Sequence, residues 1–363
     1  MSISSELLTL NNTKTAIRTA INNKGGSVSA SDTFASYATA IDNLPSGGSN
    51  ADLIDLIERD ITSINIPSGT TSIGNYAFYN CTSLTSVTIP NTVTSIGDGA
   101  FFACSRLNNV TIPSSVTSMN ANQLFSYCTS LTSITFPDSV TTIGAWLFDG
   151  CNALTEIIVG SGITSIPANA FSISSSNTSM QKIIMKATTP PSLASYNAFE
   201  NTHNCPIYVP SASVNTYKTA YRWSNLASRI YPIQQVATVD NTPVYNYDLG
   251  MTSSTMITST NMQKMPTGTS LELAEGIIDA GGSFGNYTSI TLPSTFTSFD
   301  DQGMIGNTTT TLTCLATTPP TAERNDIGGA NLTAIYVPAA SVSDYQAASG
   351  WSNFASIIQA ISA

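Results

Sequence analysis

The feature that most constrains the fold is a repeat of 23 or 24 residues in the first half of the chain. Phenylalanine recurs once in each of five successive units, at Phe78, Phe101, Phe125, Phe148 and Phe171. Proline keeps a second fixed position at Pro67, Pro90, Pro113 and Pro137, where the fifth unit has Gly160. Cysteine keeps a third at Cys81, Cys104, Cys128 and Cys151. Self-similarity at a fixed period of about 20 to 50 residues predicts a stacked repeat architecture.

A single unit has the pattern of a half-buried strand followed by shorter elements. Leu84, Val87 and Ile89 can face inward, while Ser86 and Thr88 alternate outward, as in a β-strand. The proline that follows ends the strand, because proline has no N–H to donate to a neighbouring strand. The rest of the unit predicts a second short strand and a helical turn that buries the recurrent phenylalanine and cysteine. One unit cannot bury this apolar face alone, so the units are predicted to stack as a solenoid.

These units resemble the BspA-like class of leucine-rich repeats, whose consensus is close to the unit that begins at Leu84. The resemblance is strong over residues 61 to about 171. It implies a right-handed solenoid used for adhesion or display, and no enzymatic chemistry. The predicted fold is mainly β with short helices: a capped BspA-type leucine-rich-repeat solenoid of 23-residue units, a second degenerate LRR-like module and an N-terminal α-helical segment.

A longer repeat indicates how the chain is divided. Residues 207–230 return at 335–358, and the ATTPP segment at 187–191 returns at 316–320. These endings resemble the C-terminal ends of BspA-like proteins from gut bacteria and their phages. The predicted divisions are a helical docking or oligomerisation segment at 1–45, a linker at 46–50, a solenoid with an N-terminal helix cap at 51–186, a cap module at 187–233, a β-rich connector at 234–265, and a second short LRR-like module with a duplicated cap at 266–363.

Residues 1–45 predict two helices. The first has apolar residues at heptad spacing, with Lys14 as the polar exception, at Ile3, Leu7, Leu10, Ile17 and Ile21. This face either packs on the second helix as a hairpin or forms an oligomer seam, for which a homotrimer is favoured. The segment also resembles the N-terminal segments of phage tail and fibre proteins, which implies docking to other virion proteins.

Composition and charge argue against several classes of protein. Charged residues make up 9% of the chain and the net charge is −10, so the basic footprint of a nucleic-acid-binding protein is missing. The sequence has no stretch of about 18 consecutive apolar residues, so no membrane span is predicted. The first residues lack the basic and apolar regions of a signal peptide. We therefore expect a protein made in a host cytoplasm and located in a virion, with a bacterial cell surface as the alternative.

The residues with catalytic or metal-binding chemistry are sparse. His203 is the only histidine and is expected in a surface loop. The repeat cysteines are expected to pack in the core, with disulfides or a zinc site as the alternative. Asp240 and the pair Asp300–Asp301 are too isolated to suggest a calcium site. No catalytic residue, cofactor or metal is predicted, and Glu156 alone cannot supply the carboxylate pair of a glycan depolymerase.

The best binding candidate is a stripe of outward hydroxyl, amide and aromatic side chains. Its members are Ser86, Thr88, Phe102, Asn109, Thr111, Ser133, Thr135, Tyr127 and Trp146. They suit a host surface glycan or protein, and ordinary solvation of a sheet face is the alternative. The sequence therefore favours a phage virion structural protein, a tail or head fibre or receptor-binding protein, which displays the solenoid for attachment. The alternative is a bacterial BspA-like surface adhesin.

Overall fold

The computed structural model describes residues 62–66, 68–202, 205–251, 255–284, 287–299, 305–322, 326–327 and 331–361. The predicted helical segment with its seam residues, the linker and the N-terminal helix cap lie outside these ranges. The chain divides into two compact units. Unit 1 extends to Ile207 and includes Asn215–Arg229, while unit 2 comprises Tyr208–Val214 and the chain from Ile230 onward.

Each repeat of unit 1 forms one coil of two short strands and a turn. The strands form where apolar side chains occupy alternate positions. The first strands of the repeats are β1 (Ser63–Asn65), β3 (Ser86–Thr88), β5 (Asn109–Val110), β7 (Ser133–Phe136), β9 (Glu156–Val159) and β11 (Lys182–Met185). The second strands are β2 (Ser72–Ile73), β4 (Ser95–Ile96), β6 (Ser118–Met119), β8 (Thr142–Ile143), β10 (Ser165–Ile166) and β12 (Ser192–Leu193). Each of these strands pairs in parallel with the corresponding strand of a neighbouring repeat.

Parallel pairing places equivalent residues of successive repeats side by side. Ser63 lies opposite Ser86, and Ser86 lies opposite Asn109. Farther along unit 1, Ser133 lies opposite Glu156. The sheets of mainly parallel strands and the few short helices agree with the predicted leucine-rich-repeat solenoid.

The core of unit 1 contains a ladder of phenylalanine rings from successive repeats, of which Phe101, Phe125, Phe148 and Phe171 are fully buried. The ring centroids of Phe101 and Phe125 are 5.6 Å apart, and those of Phe125 and Phe148 are 6.1 Å apart. The interplanar angles are 7° and 3°, so the rings lie nearly parallel. Aromatic pairs are favourable at centroid separations of roughly 4.5–7 Å. Since each ring has a neighbour on either side only when the repeats stack, stacking creates the core.

The segment around each phenylalanine differs from the helical turn that the sequence predicts. Gly99 and Ala103, on either side of Phe101, have φ angles of 54° and 59°, in the left-handed region. The amide of Phe101 donates to the carbonyl of Leu124, in the next repeat, at 3.1 Å. A helix needs consecutive right-handed residues with bonds inside the segment. The segment is therefore a series of turns in which alternate amides bond to the neighbouring coil, as for Phe101, or within the segment, as for Phe102 to Gly99.

Unit 2 has a sheet that begins with an antiparallel hairpin and continues with parallel strands. The order in this sheet is β16 (Thr242–Tyr245), β15 (Gln235–Val239), β18 (Ser270–Leu273), β20 (Ser289–Leu292), β22 (Thr311–Cys314), β23 (Ala334–Val337) and β24 (Ile358–Ala360). A second parallel sheet contains β17 (Met256–Ile257), β19 (Asp279–Ala280) and β21 (Ser298–Phe299). The hairpin of the predicted connector thus belongs to the same sheet as the predicted second module.

The remaining described elements are two strands and several short helices. The strands are β13 (Ile207–Pro210) and β14 (Ile230–Ile233). The α-helices are Val214–Thr219, Asn246–Leu249, Ser259–Met262 and Val342–Ala347. The 3-10 helices are Tyr196–Phe199, Ser211–Ser213, Trp223–Arg229, Ala339–Ser341 and Ser352–Ile357. In the part of the chain that the structure describes, no helix is both long enough and apolar enough to cross a membrane.

Candidate binding surface

The predicted stripe combines residues of the strands with residues of the turns, and these form two groups in the structure. The strand-face group lies on or directly after β3, β5 and β7, and comprises Ser86, Thr88, Asn109, Thr111, Ser133 and Thr135. All of these side chains are exposed except that of Ser133, which is half-buried. Phe102, Tyr127 and Trp146 instead lie on the turns that precede the next repeat. The predicted stripe therefore contains two candidate surfaces that separate substitutions can distinguish.

The aromatic residues on the turns include a contiguous set, which we name the aromatic turn cluster: Tyr76, Tyr79, Phe102 and Tyr127. The ring of Tyr79 stacks on that of Phe102 at 5.4 Å, and Phe102 lies 5.4 Å from Tyr127 at a tilt of 54°. Tyr76 meets Tyr79 edge to face at 5.9 Å. The three tyrosines remain 45–47% exposed although each contacts another ring of the cluster. Three successive repeats thus present one patch of partly exposed rings.

Glycine in the following repeat makes room for two of these rings. A Cβ at Gly99 would lie 2.4 Å from the ring of Tyr76, one repeat earlier. A Cβ at Gly150 would lie 2.7 Å from the ring of Tyr127. A Cβ at either position would therefore displace the tyrosine ring from its place. The sequence contains this signal as an aromatic residue followed by glycine 23 positions later, a spacing that the predicted stripe did not use.

Three of the aromatic residues on these turns occupy a left-handed backbone conformation, which is unusual for bulky side chains. Tyr76, Tyr127 and Trp146 have φ angles of 56°, 61° and 58°. A residue other than glycine, asparagine or aspartate in this region costs of order 1–3 kcal/mol. Asn169 occupies the position equivalent to Trp146 in the next repeat, with the same φ of 58°. Neither the turn nor the core requires an aromatic side chain there, so these rings are candidates for a binding role.

Many other polar side chains bond to the neighbouring repeat. The hydroxyl of Thr85 donates to the carbonyl of Thr62 at 2.7 Å, and that of Thr155 donates to the carbonyl of Thr132 at 2.9 Å. On the turns, the carboxylate of Asp98 accepts from the amide of Asn122 at 2.7 Å. These contacts give hydroxyl and carboxylate side chains a structural role between adjacent repeats. Polarity alone therefore does not identify a binding residue here.

The repeat cysteines form a buried ladder of weak donors. The thiols of Cys104, Cys128 and Cys151 donate to the carbonyls of Phe78, Phe101 and Phe125 at 3.0, 3.1 and 3.0 Å. Burial raises the pKa of Cys128 to about 12 and that of Cys151 well above its usual value. The reactive species is the thiolate, which these positions disfavour. The thiols accordingly act as packing groups that donate to the backbone.

Asp240 stabilises a hairpin turn in unit 2. It begins the two-residue turn between β15 and β16, where Asp240 and Asn241 have φ angles of 46° and 65°, as the tight hairpin requires. Its carboxylate accepts from the hydroxyl of Thr269 at 2.7 Å and from the amide of Ser270 at 2.8 Å. Within the described residues, no three histidine, cysteine or acidic side chains are grouped to hold a metal ion. His203 and Asp300–Asp301 lie outside the described residues.

We expect the carboxylate of Asp240 to titrate far below an ordinary aspartate. Hydrogen bonds from the hydroxyl of Thr269 and from the amides of Ser270 and Thr269 lower its pKa from 3.8 to about 2. Because the pKa is lower in the folded state, the stabilising contribution is present above pH 3.8 and is lost as the pH falls toward 2. An NMR titration of the side-chain carboxyl will measure this pKa. In the variant Asp240→Asn, unit 2 should lose less stability between pH 4 and pH 2, and a wild-type pKa near 3.8 would contradict the expectation.

Comparison with known proteins identifies the repeat class. Residues 57–178 match the family model for the BspA type leucine-rich repeat region, in six copies. This part of the chain is therefore a BspA-type leucine-rich-repeat region. Repeats of this type are typical of surface adhesins, and leucine-rich-repeat proteins are generally binding or scaffold proteins rather than enzymes. No curated protein matches the chain.

Several solved leucine-rich-repeat structures are similar to this chain. The pneumococcal vaccine antigen PcpA is 21% identical, with a TM-score of 0.40, over 48% of this chain and 40% of PcpA. A leucine-rich cell surface protein from Faecalibacterium prausnitzii is 17% identical, with a TM-score of 0.30, over 84% of this chain and 80% of that protein. A leucine-rich-repeat protein from Bacteroides ovatus is 15% identical, with a TM-score of 0.33, over 78% and 62% of the two chains.

Proposed function

We propose that this protein is a non-enzymatic attachment protein whose solenoid binds a glycan or protein on a cell surface. The observation that carries the proposal is the aromatic turn cluster, in which three repeats present stacked but partly exposed rings. Exposed aromatic side chains supply large contact areas at a low entropy cost and are enriched in binding interfaces. The polar surroundings of the cluster suit a ligand that has both apolar faces and hydroxyl groups.

Removal of two rings should test the cluster. We expect the double variant Tyr79→Ala/Tyr127→Ala to bind about tenfold more weakly to an array of bacterial surface polysaccharides and mucin glycans, which corresponds to about 1.4 kcal/mol. The fold should be retained, because both tyrosines are exposed and because Ala103 occupies the position of Tyr127 in the preceding repeat, with a φ of 59°. Circular dichroism will check the fold of the variant.

The strand-face group offers a matched control. The variant Thr88→Ala/Thr111→Ala removes two exposed side chains from β3 and from the residue after β5. If the aromatic turn cluster is the binding surface, this variant should bind the array like the wild type. A loss confined to the threonine variant would assign binding to the strand face, and unchanged binding by both variants would contradict both surfaces.

We further propose that the attachment protein belongs to a phage virion, as a tail or head fibre or receptor-binding component. The support is the resemblance of residues 1–45 to the N-terminal segments of phage tail and fibre proteins. In this proposal the segment docks to other virion proteins and joins copies of the chain, with Ile3, Leu7, Leu10, Ile17 and Ile21 as a homotrimer seam. A bacterial surface adhesin is the alternative, supported by the repeat class.

Two measurements separate these locations. Mass spectrometry of purified phage particles should detect the protein, and light scattering of the full chain should give a trimer mass. Absence from particles, together with cleavage by protease added to intact bacteria, would assign the protein to the bacterial surface instead. Substitution of Leu10 and Ile17 by Asp should give monomers if the seam joins the copies.

A further inference from the structure

A second cluster of exposed aromatic residues surrounds an arginine near the end of unit 1. The guanidinium carbon of Arg222 lies 5.3 Å from the ring centroid of Tyr196 and 5.0 Å from that of Tyr221. The two tyrosines are 61% and 73% exposed, more than any ring of the aromatic turn cluster. Cation–π contacts at these distances orient the guanidinium and leave the charge in place.

Within the described residues, no carboxylate forms an ion pair with Arg222. In the described part of the chain, its guanidinium donates to the carbonyl of Leu193, and its buried Nε has no hydrogen-bond partner. Arginine in a net acidic protein would ordinarily find an acidic partner on the surface. A guanidinium that contacts two exposed rings and pairs with no described carboxylate can bind an external anion.

The duplicated segment at the end of unit 2 shows that the fold does not need these side chains. Trp223 donates to the carbonyl of Pro191 at 2.7 Å, and its counterpart Trp351 donates to that of Pro320 at 2.8 Å. The residue before the tryptophan is Arg222 in the first segment, with a φ of 65°, and Gly350 in the second, with a φ of 83°. Glycine is the residue that this left-handed backbone favours.

The same comparison extends to the neighbouring position, where Tyr221 corresponds to Ser349. The framework of the two segments is therefore shared, while the tyrosine and the arginine occur in the first alone. A bulky cation in place of glycine costs backbone energy, and the second segment keeps the same framework without it. This difference indicates a binding role for the first segment that the second segment lacks.

We infer that Tyr196, Tyr221 and Arg222 form a binding site for an acidic saccharide, such as a uronic-acid polymer. The guanidinium pairs with the sugar carboxylate, and the exposed tyrosine rings contact the C–H face of the pyranose ring. An acidic peptide would satisfy the cation but would offer no flat face to two exposed rings, so the saccharide is the better fit. The inference does not depend on the aromatic turn cluster, which the variant Tyr79→Ala/Tyr127→Ala tests separately.

The charge requirement can be tested with a matched pair of probes. Isothermal titration of the full chain with tetragalacturonate should show binding, and the methyl ester of the same tetrasaccharide should bind at least tenfold more weakly, because it keeps the rings and loses the charge. Equal binding of the acid and its ester, or no binding of either, would overturn the inference. Equal binding of tetraglutamate would show that Arg222 binds any anion, and would also overturn the inference of a saccharide site.

The residues can be tested with substitutions that copy the second segment. Arg222→Gly should lower affinity for tetragalacturonate at least tenfold and should keep the fold, because Gly350 already occupies this backbone, with a small loss of melting temperature from the lost bond to the Leu193 carbonyl. Tyr221→Ser, which copies Ser349 at a highly exposed position, should lower the affinity severalfold and provides a second folded variant. Arg222→Lys keeps the charge but loses the planar fork, and should bind more weakly than the wild type. Wild-type affinity in both Arg222→Gly and Tyr221→Ser would contradict the site.

Discussion

Replacement of Phe125 by alanine is expected to lower the free energy of unfolding of unit 1 by about 3–5 kcal/mol. The ring is fully buried and lies between Phe101 and Phe148, at centroid distances of 5.6 and 6.1 Å. Its removal deletes both stacking contacts and leaves a cavity. The two neighbouring rings cannot close this cavity without a shift of whole repeats, because each ring is fixed in its own coil.

Urea denaturation followed by circular dichroism will measure this loss, and Phe102→Ala provides the control. Phe102 follows Phe101 in the preceding repeat, and its ring is half-exposed. The same deletion there should cost less than about 1.5 kcal/mol, because it leaves no buried cavity. Equal losses for the two variants would show that the phenylalanine ladder does not carry the stability of the stack.

Replacement of Trp351 by alanine is expected to destabilise unit 2 by a similar amount, about 3–5 kcal/mol. The indole is fully buried, its Nε1 donates to the carbonyl of Pro320 at 2.8 Å, and the ring of Tyr345 meets it edge to face at 4.8 Å. The hydroxyl of Tyr345 in turn donates to the carbonyl of Ala316 at 2.8 Å. The substitution therefore removes a large apolar volume and leaves a buried carbonyl without its donor.

Two further variants separate the parts of this effect. Trp351→Phe keeps most of the apolar volume and loses the indole N–H, so it should cost about 1–3 kcal/mol for the unsatisfied carbonyl. Trp223→Ala removes the equivalent contacts of unit 1, where the indole lies 4.9 Å from Tyr217. Hydrogen exchange measured by mass spectrometry should show faster exchange in unit 2 for Trp351→Ala and in unit 1 for Trp223→Ala. The absence of this separation would contradict the assignment of one tryptophan anchor to each unit.

The parallel pairing of unit 1 could be predicted because the residues that mark each repeat are large and regular. A period of 23 residues places Thr85 beside Thr62, the pair that the structure joins by a hydrogen bond across 23 positions. Unit 2 was harder, because the corresponding separations there are 19, 22 and 23 residues. Shorter coils keep the strand alternation but lose the fixed proline and phenylalanine positions, so the sequence indicated only a degenerate module.

The candidate binding residues stay a prediction. The sequence placed Phe102, Tyr127 and Trp146 on the turns, but only the structure showed the ring contacts that join Phe102 to Tyr79 and Tyr127. The cluster of Tyr196, Tyr221 and Arg222 was not predicted, because its members are 25 and 26 positions apart and follow no repeat. A comparison of the two duplicated segments would have revealed the pair Tyr221 and Arg222 as a departure from Ser349 and Gly350.

The sequence by itself determined the class of fold, because only stacked units can bury an apolar face that recurs every 23 residues. Only the tertiary structure decided which polar side chains hold the coils together and which remain available. The hydroxyl of Thr155 and the carboxylate of Asp98 look like ordinary surface groups in the sequence, yet each bonds to the backbone of an adjacent coil. The physical reason is that the bonding partner of such a side chain lies one full coil away along the chain. The residues next to the side chain in sequence therefore do not show whether it is bonded.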